Sequence, residues 1–338
     1  MQVPFFLVAH WLNTNHDADG YSRPYMIAIS IAALFYLLIG LIYLNLLLCS
    51  YSISEGQRSF VLLITVFGTN LFYYTVAEPG VSHVYSFTLI AAFLYYTKSF
   101  VTLPSKGKIV LLGLLLGFIC LVRPINGLIV FSLPFLFFDL NQFKAFFKQL
   151  FSYRISLLCS FLLFFTIIFI QLIYYKLATG HFIVYSYGEE GFNFLSPHFY
   201  DILFSYKKGL FLYTPIFFIA STFGLLALYK QSFFSAVSWL FFFLLITYVF
   251  SSWWMWYYGG SFSSRVYVEF IPFFMIPLAL SFELFKKTIW RKSYITLLLL
   301  LIVICQIQTF QYRYYYIHWS EMTKEKYWDV FLRIDLLF

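Results

Sequence analysis

Ten apolar runs punctuate the chain, at about 24–48, 60–76, 84–96, 109–122, 125–138, 155–175, 209–229, 233–252, 266–285 and 294–310. Each predicts a membrane helix. Several are shorter than the ~20 residues that a perpendicular helix needs to cross a bilayer, so their ends are expected to extend into flanking Tyr, Thr and Ser. The pattern predicts an all-α, polytopic membrane protein with about ten transmembrane helices, residues 1–338 forming a single integral-membrane domain. No heptads, no repeat and no low-complexity linker suggest a further division.

The segments between the runs alternate in kind. One set carries Lys98, Lys106, Lys108, Lys144, Lys148, Arg154, Lys230, Lys286, Lys287, Arg291 and Lys292 with few acids. The other holds all 6 histidines, most of the acids and most of the tryptophans. The positive-inside rule makes the basic set cytoplasmic. The non-cytoplasmic set is then 13–23, 77–83, the Arg123-Pro124 corner, an outer loop at 177–208, the segment 253–265 and an outer aromatic tail at 311–338. Any active site is expected on that face.

Composition supports this picture. With 62% hydrophobic and 11% charged residues, the chain has too little polar surface to cover one soluble core. The net charge of +8 arises mainly from the lysine-rich loops, so a membrane setting is expected and nucleic acid is not a partner. The 25% aromatic share suits interfacial belts, where a buried ring keeps a wet polar tip. Cys49, Cys120, Cys159 and Cys305 lie in or beside the runs without metal spacing and read as small core residues. No cleavable leader is legible before the first run. Residues 1–12 are apolar but too short to span, and 1–23 reads as part of an outer segment that expects a preceding helix. An interfacial segment is the alternative.

Four clusters carry possible chemistry, because ionisable groups near hydrocarbon are costly unless they face a partner or a cavity. In the corner EPGVSHVY, Pro79 and Gly80 make a turn that brings Glu78 and His83 toward a common site as base or ligands; a solvated turn acid and an interface histidine are the plain alternative. Arg123 at a rigid Pro124 corner suits bidentate capture of phosphate, or simple snorkelling. Lys207 and Lys208 stand against the positive-inside trend and invite an anion, with Glu189 and Glu190 as possible neutralising partners. In WWMWYYGGSFSSR, the rings of Trp253, Trp254, Trp256, Tyr257 and Tyr258 can stack on sugar or flank a lipid chain, and Gly259-Gly260 lets backbone approach a ligand. Arg265 follows as a phosphate ligand or as an ion-pair partner of Glu269 at i+4.

No GxSxG, HExxH, P-loop or GxGxxG grammar is present. Acids deep within several spans, the mark of an ion-driven transporter, are also missing.

The strings EPGVSHVYSF, LVRPIN, KKGLFLYTP, WYYGGSFSSR and IHWSEMTKEKYW, with the hydropathy pattern, resemble integral-membrane glycosyltransferases of the GT-C fold, particularly those of bacterial envelopes. The resemblance spans essentially the whole chain. It implies transfer of a sugar from a polyprenyl-phosphate donor to a glycan, lipid or protein acceptor, on the non-cytoplasmic face of a bacterial inner (plasma) membrane. Arg123, Lys207, Lys208 and Arg265 are then donor-phosphate ligands, and the Trp253 to Tyr258 rings line the sugar or lipid. That family carries its catalytic carboxylate in the first large outer loop after the first membrane helix, and this chain departs from it there. Asp17 and Asp19 resemble the acidic pair in composition alone, and Glu78 with His83 are the other catalytic candidates. The only cofactor in view is a divalent cation, with no ligand set legible. The competing expectations are a lipid-linked glycan transporter or flippase, a protein like the O-antigen polymerases, and an inactive truncated homologue.

Overall fold

The computed structural model describes residues 1–13, 18–185 and 187–337. Among them the regular structure is helical, relieved only by an antiparallel bridge between Phe192 and Trp253. The chain runs through α1 (Val3–Leu12), α2 (Arg23–Cys49), α3 (Glu55–Phe67), α4 (Leu71–Val76), α5 (His83–Thr102) and α6 (Lys106–Val122). A 3₁₀ segment, Pro124–Leu136, leads to α7 (Leu140–Ser152), α8 (Arg154–Thr179) and α9 (Phe199–Phe204). Two single turns, α10 (Leu210–Tyr213) and α11 (Ile216–Ile219), and a π segment, Ala220–Gly224, lead to α12 (Leu225–Gln231) and α13 (Phe233–Ser251). A 3₁₀ turn, Arg265–Phe270, opens α14 (Ile271–Ser281), and α15 (Thr288–Arg313) and α16 (Lys324–Val330) follow.

Among the described residues six helical stretches are long and apolar enough to cross a membrane: α2, α5, α8, α13, Arg265–Leu284 and α15. A seventh arises only if Pro124–Leu136 and α7 count together, and these are bent by 120°. The expected count of about ten is therefore not met by uninterrupted helices, and the reasons are local. In the run 60–76 the Thr69 hydroxyl accepts from the Leu71 amide at 3.2 Å and restarts the helix after Gly68. The run 109–122 belongs to a helix of 17 residues. The run 125–138 follows Pro124 and contains Pro134, and these prolines lack amide donors and favour a wound-up 3₁₀ path. The run 209–229 is broken at Thr214 and Pro215.

Helix starts follow their capping residues. Ser54 and Gln57 form a capping box before α3, Asp139 accepts from the Gln142 amide at 2.8 Å, and Ser232 accepts from Ser235 at 3.0 Å. Each satisfies amides that have no partner inside the helix. Helix α8 ends at Gly180, whose φ of 78° is the left-handed conformation that glycine adopts without steric cost. Helix α7 shows an amphipathic face, Phe143, Phe146 and Phe147 turned inward and Lys144 and Lys148 exposed.

Burial ranks the helices. Of the apolar stretch in Arg265–Leu284, 94% is enclosed, against 11% of that in α8, so α14 is central and α8 peripheral. Small residues bring backbones together around it, as expected where apolar surface alone gives no drive to associate. A Cβ on Gly113 of α6 would stand 2.4 Å from the Ser160 carbonyl oxygen of α8, and one on Gly224 would stand 2.8 Å from the Pro277 backbone of α14. The Thr88 hydroxyl of α5 donates to the Tyr36 carbonyl of α2 at 2.6 Å. Helix α16 folds back on α15, where the Gln308 amide donates to the Tyr327 hydroxyl at 2.7 Å.

These contacts predict that Gly113→Ala, forced against the Ser160 backbone carbonyl as well as its hydroxyl, costs about 1–3 kcal/mol of stability. Gly107→Ala, with nothing within 4 Å, should cost none of that packing term. Thermal unfolding of the two variants in detergent measures the difference.

Candidate functional site

Three connecting segments and the tail gather at one end of the helices. The two longer connections are zipped by backbone: the Asn193 amide donates to the Ser252 carbonyl at 2.6 Å, His198 to Ser251 at 2.9 Å and Trp254 to Gly191 at 3.0 Å. The stretch after the tryptophans is then tied down by side chains. The Tyr74 hydroxyl donates to the Phe262 carbonyl at 3.1 Å and accepts from the Phe262 amide at 2.9 Å. Asn70 donates to the same carbonyl at 3.3 Å, and Ser264 donates to the carbonyls of Ile202 and Lys208 at 2.9 and 2.8 Å. Within this stretch Tyr258 and Ser263 hold φ of 55° and 57°, a left-handed conformation that costs a non-glycine residue about 1–2 kcal/mol.

Beside this stretch lies a cleft of about 370 Å³, lined by Tyr73, Glu78, Gly260, Tyr312, Arg313 and Tyr315, with Trp319 at its edge. The Tyr73 hydroxyl donates to Glu78 Oε1 at 2.9 Å and so aims the carboxylate. Behind the cleft Lys208 is 2% exposed; its ammonium donates to the Ser261 carbonyl and sits 5.0 Å from the Tyr312 ring centre. Burial, with Arg265 nearby, brings the Lys208 ammonium down to about 7 against the opposing pull of Glu78. Lys207 lies over the Tyr257 ring at 3.5 Å. Neither lysine is paired with Glu189 or Glu190, which are exposed.

Glu269 is fully buried, and it does not pair with Arg265. Its Oε1 instead lies 2.5 Å from the Arg123 guanidinium and 3.0 Å from His83 Nδ1. The cause is the 3₁₀ turn that carries both Arg265 and Glu269. At three residues per turn, positions i and i+4 are about 120° apart, whereas an α-helix would nearly align them. Among the described residues Arg265 is left without an ion pair, and its Nε is buried with no hydrogen-bond partner. Glu78 and His83, expected to converge, are claimed by different partners.

The remaining expectations divide. Asp19 is exposed and accepts from the amides of Tyr21 and Ser22 at 2.8 and 2.9 Å; those bonds lower its pKa and make it a turn residue before α2. Asp17 lies outside the described residues. Among the tryptophans, Trp253 packs on Phe192 and Tyr187 at 4.8 and 5.2 Å between ring centres, and Trp256 stacks on His198 at 5.8 Å. Trp254 is 47% exposed. Tyr258 donates to the Phe250 carbonyl at 2.9 Å, and burial pushes its phenol up. Much of this aromatic cluster therefore braces the connections, while the rings at the cleft are Tyr73, Tyr312, Tyr315 and Trp319. The density of tyrosine and tryptophan in the tail is the sequence signal that points to them. Among the described residues no group of three or more His, Cys, Asp or Glu is arranged to hold a metal ion.

Two outcomes follow from these electrostatics. Glu269→Gln leaves the Arg123 guanidinium beside a buried site without its countercharge, and should cost about 3–5 kcal/mol in unfolding experiments. For Lys208, the folded protein releases the proton near pH 7 and the unfolded chain near 10.5. The unfolded state therefore holds the extra proton across that window, and stability rises with pH by at most about 1.4 kcal/mol per unit. Lys208→Met should remove that component from the pH profile of unfolding. Comparison with family models, with curated proteins and with solved structures finds no match to this chain.

Proposed function

We propose that the chain is a glycosyltransferase of the membrane-embedded kind, moving a sugar from a polyprenyl-phosphate donor to an envelope glycan, lipid or protein acceptor. The observation that carries this reading is the cleft itself, which holds one aimed carboxylate, Arg313 and a wall of tyrosine and tryptophan, with Lys208 and Arg265 behind it near Tyr312 and in no ion pair among the described residues. Aromatic faces suit sugar rings. Unpaired cations in a water-poor site suit a phosphate on which charge develops.

In the proposed reaction an acceptor hydroxyl gives its proton to Glu78 as its oxygen bonds to the anomeric carbon. The bond from that carbon to the phosphate oxygen breaks, and its electron pair leaves with the polyprenyl phosphate. Lys208 and Arg265 stabilise the negative charge left there. Arg123 and His83 act at a distance, holding Glu269 and with it the turn that aims Arg265. Lys207 rests on the Tyr257 ring.

The same reading takes the four interrupted runs as membrane-crossing segments, giving about ten in a GT-C-like bundle. Interrupted backbone is tolerated at membrane depth when protein covers it, and Val61, Ile64, Thr65, Thr69, Asn70, Leu71, Leu210, Thr214, Ile216 and Phe217 are all buried. The basic loops then face the cytoplasm of a bacterial cell and the cleft opens on the other side.

The test is release of free polyprenyl phosphate from a panel of polyprenyl-phosphate sugars by the protein in proteoliposomes. Glu78→Gln keeps the Tyr73 hydrogen-bond acceptor but not the base, and should lower turnover by roughly 10²–10⁴-fold while polyprenyl phosphate still binds. Arg265→Ala should weaken that binding. Movement of the intact donor across the bilayer without phosphate release would instead identify a carrier, and full turnover by Glu78→Gln would remove the base from the proposal.

A further inference from the structure

At the opposite ends of α12, α14 and α15 lies a second cavity, of about 880 Å³. Lys230 from the last turn of α12, Lys286 and Lys287 from the link before α15, and Glu283 after α14 line it, with Phe285 and Trp290 at its sides. All three lysines and Glu283 are exposed. None of the three lysines is in an ion pair among the described residues, so three positive charges face one acid.

We propose that this cavity is a headgroup site for an acidic phospholipid. The lysines supply the charge that a phosphodiester recognises near a membrane surface. Local sequence makes the need for an anion sharper: the first turn of α15 has no acidic residue, while Arg291 and Lys292 follow in the next. Cations at the positive end of a helix dipole repel it and one another, and a phosphate at the cavity offsets both. The apolar part of the ligand has its own surface. Beyond the cavity α15 exposes Ile289, Trp290, Leu297, Leu300 and Val303, a stripe along which acyl chains can lie with Trp290 at headgroup level. A free phosphate fits the lysines but gains nothing from that stripe. The site is independent of the cleft chemistry, and it assigns the lipid a structural role rather than that of a substrate.

Delipidated protein is reconstituted in phosphatidylcholine alone, in phosphatidylcholine with phosphatidylglycerol, and in phosphatidylcholine with added inorganic phosphate. Melting temperature and lipid retained after detergent extraction are then measured. Phosphatidylglycerol should raise the melting temperature and be retained, and inorganic phosphate should do neither. The Lys230→Gln/Lys286→Gln/Lys287→Gln variant should lose affinity on the order of a hundredfold. A control, Lys144→Gln/Lys148→Gln on the exposed face of α7, should keep it. Equal loss in both variants would mean generic surface attraction, retention by the triple variant would remove the lysines from the site, and an equal shift from inorganic phosphate would make the ligand a free anion. Each of these three results overturns the proposal.

Discussion

The Glu269 carboxylate is fully buried, and a charge so situated is tolerated only when its partners are held as firmly as it is. Its two partners come from different elements, His83 from the first turn of α5 and Arg123 from the corner after α6. One acid thereby ties three chain segments together at the end of the bundle where the cleft opens. The alternative pairing, Arg265 with its near neighbour, would have satisfied the same charge locally and removed this tie between the corner, α5 and the Arg265–Phe270 turn. The 3₁₀ winding of Arg265–Phe270 decides between them, and it leaves Arg265 without that acid.

Around this anchor, irregular backbone is satisfied by side chains rather than by neighbouring strands. The carbonyls of Ser261 and Phe262 receive Lys208, Asn70 and Tyr74, and the carbonyls of Ile202 and Lys208 receive Ser264. Buried backbone polar groups left unmet cost about as much as a lost hydrogen bond each, so these residues hold the connection as firmly as a helix holds itself. The left-handed Tyr258 and Ser263 persist because that framework surrounds them. The site is accordingly rigid where it borders Lys208 and Arg265, and more open toward Arg313, Tyr315 and Trp319, which are exposed.

Much of this was legible in the chain, for definable reasons. The long apolar runs yielded α2, α5, α8, α13, α14 and α15, because composition over some twenty residues is a strong signal. The interrupted runs look continuous in the sequence because apolar composition is blind to Thr69 restarting a helix or Thr214 and Pro215 breaking one. Glu78, Lys208 and Arg265 stood out because a charge between apolar runs is conspicuous. Their partners did not. That Glu269 meets Arg123, 146 positions away, depends on packing that no local spacing encodes, and the i+4 rule pointed to the wrong arginine because it assumes an α-helix. The aromatic cluster is hard to apportion for a related reason: a tryptophan that stacks on sugar and one that braces a loop look alike in a string of letters.

The doubled bond of Tyr74 carries a consequence for motion. One phenol oxygen gives to the carbonyl and takes from the amide of the same residue, Phe262. Both bonds meet at a single side-chain atom, so a shift of the phenol disturbs a donor and an acceptor of the same residue together. Any movement of Tyr74 is thereby passed to the backbone two residues from Gly260, in the wall of the cleft.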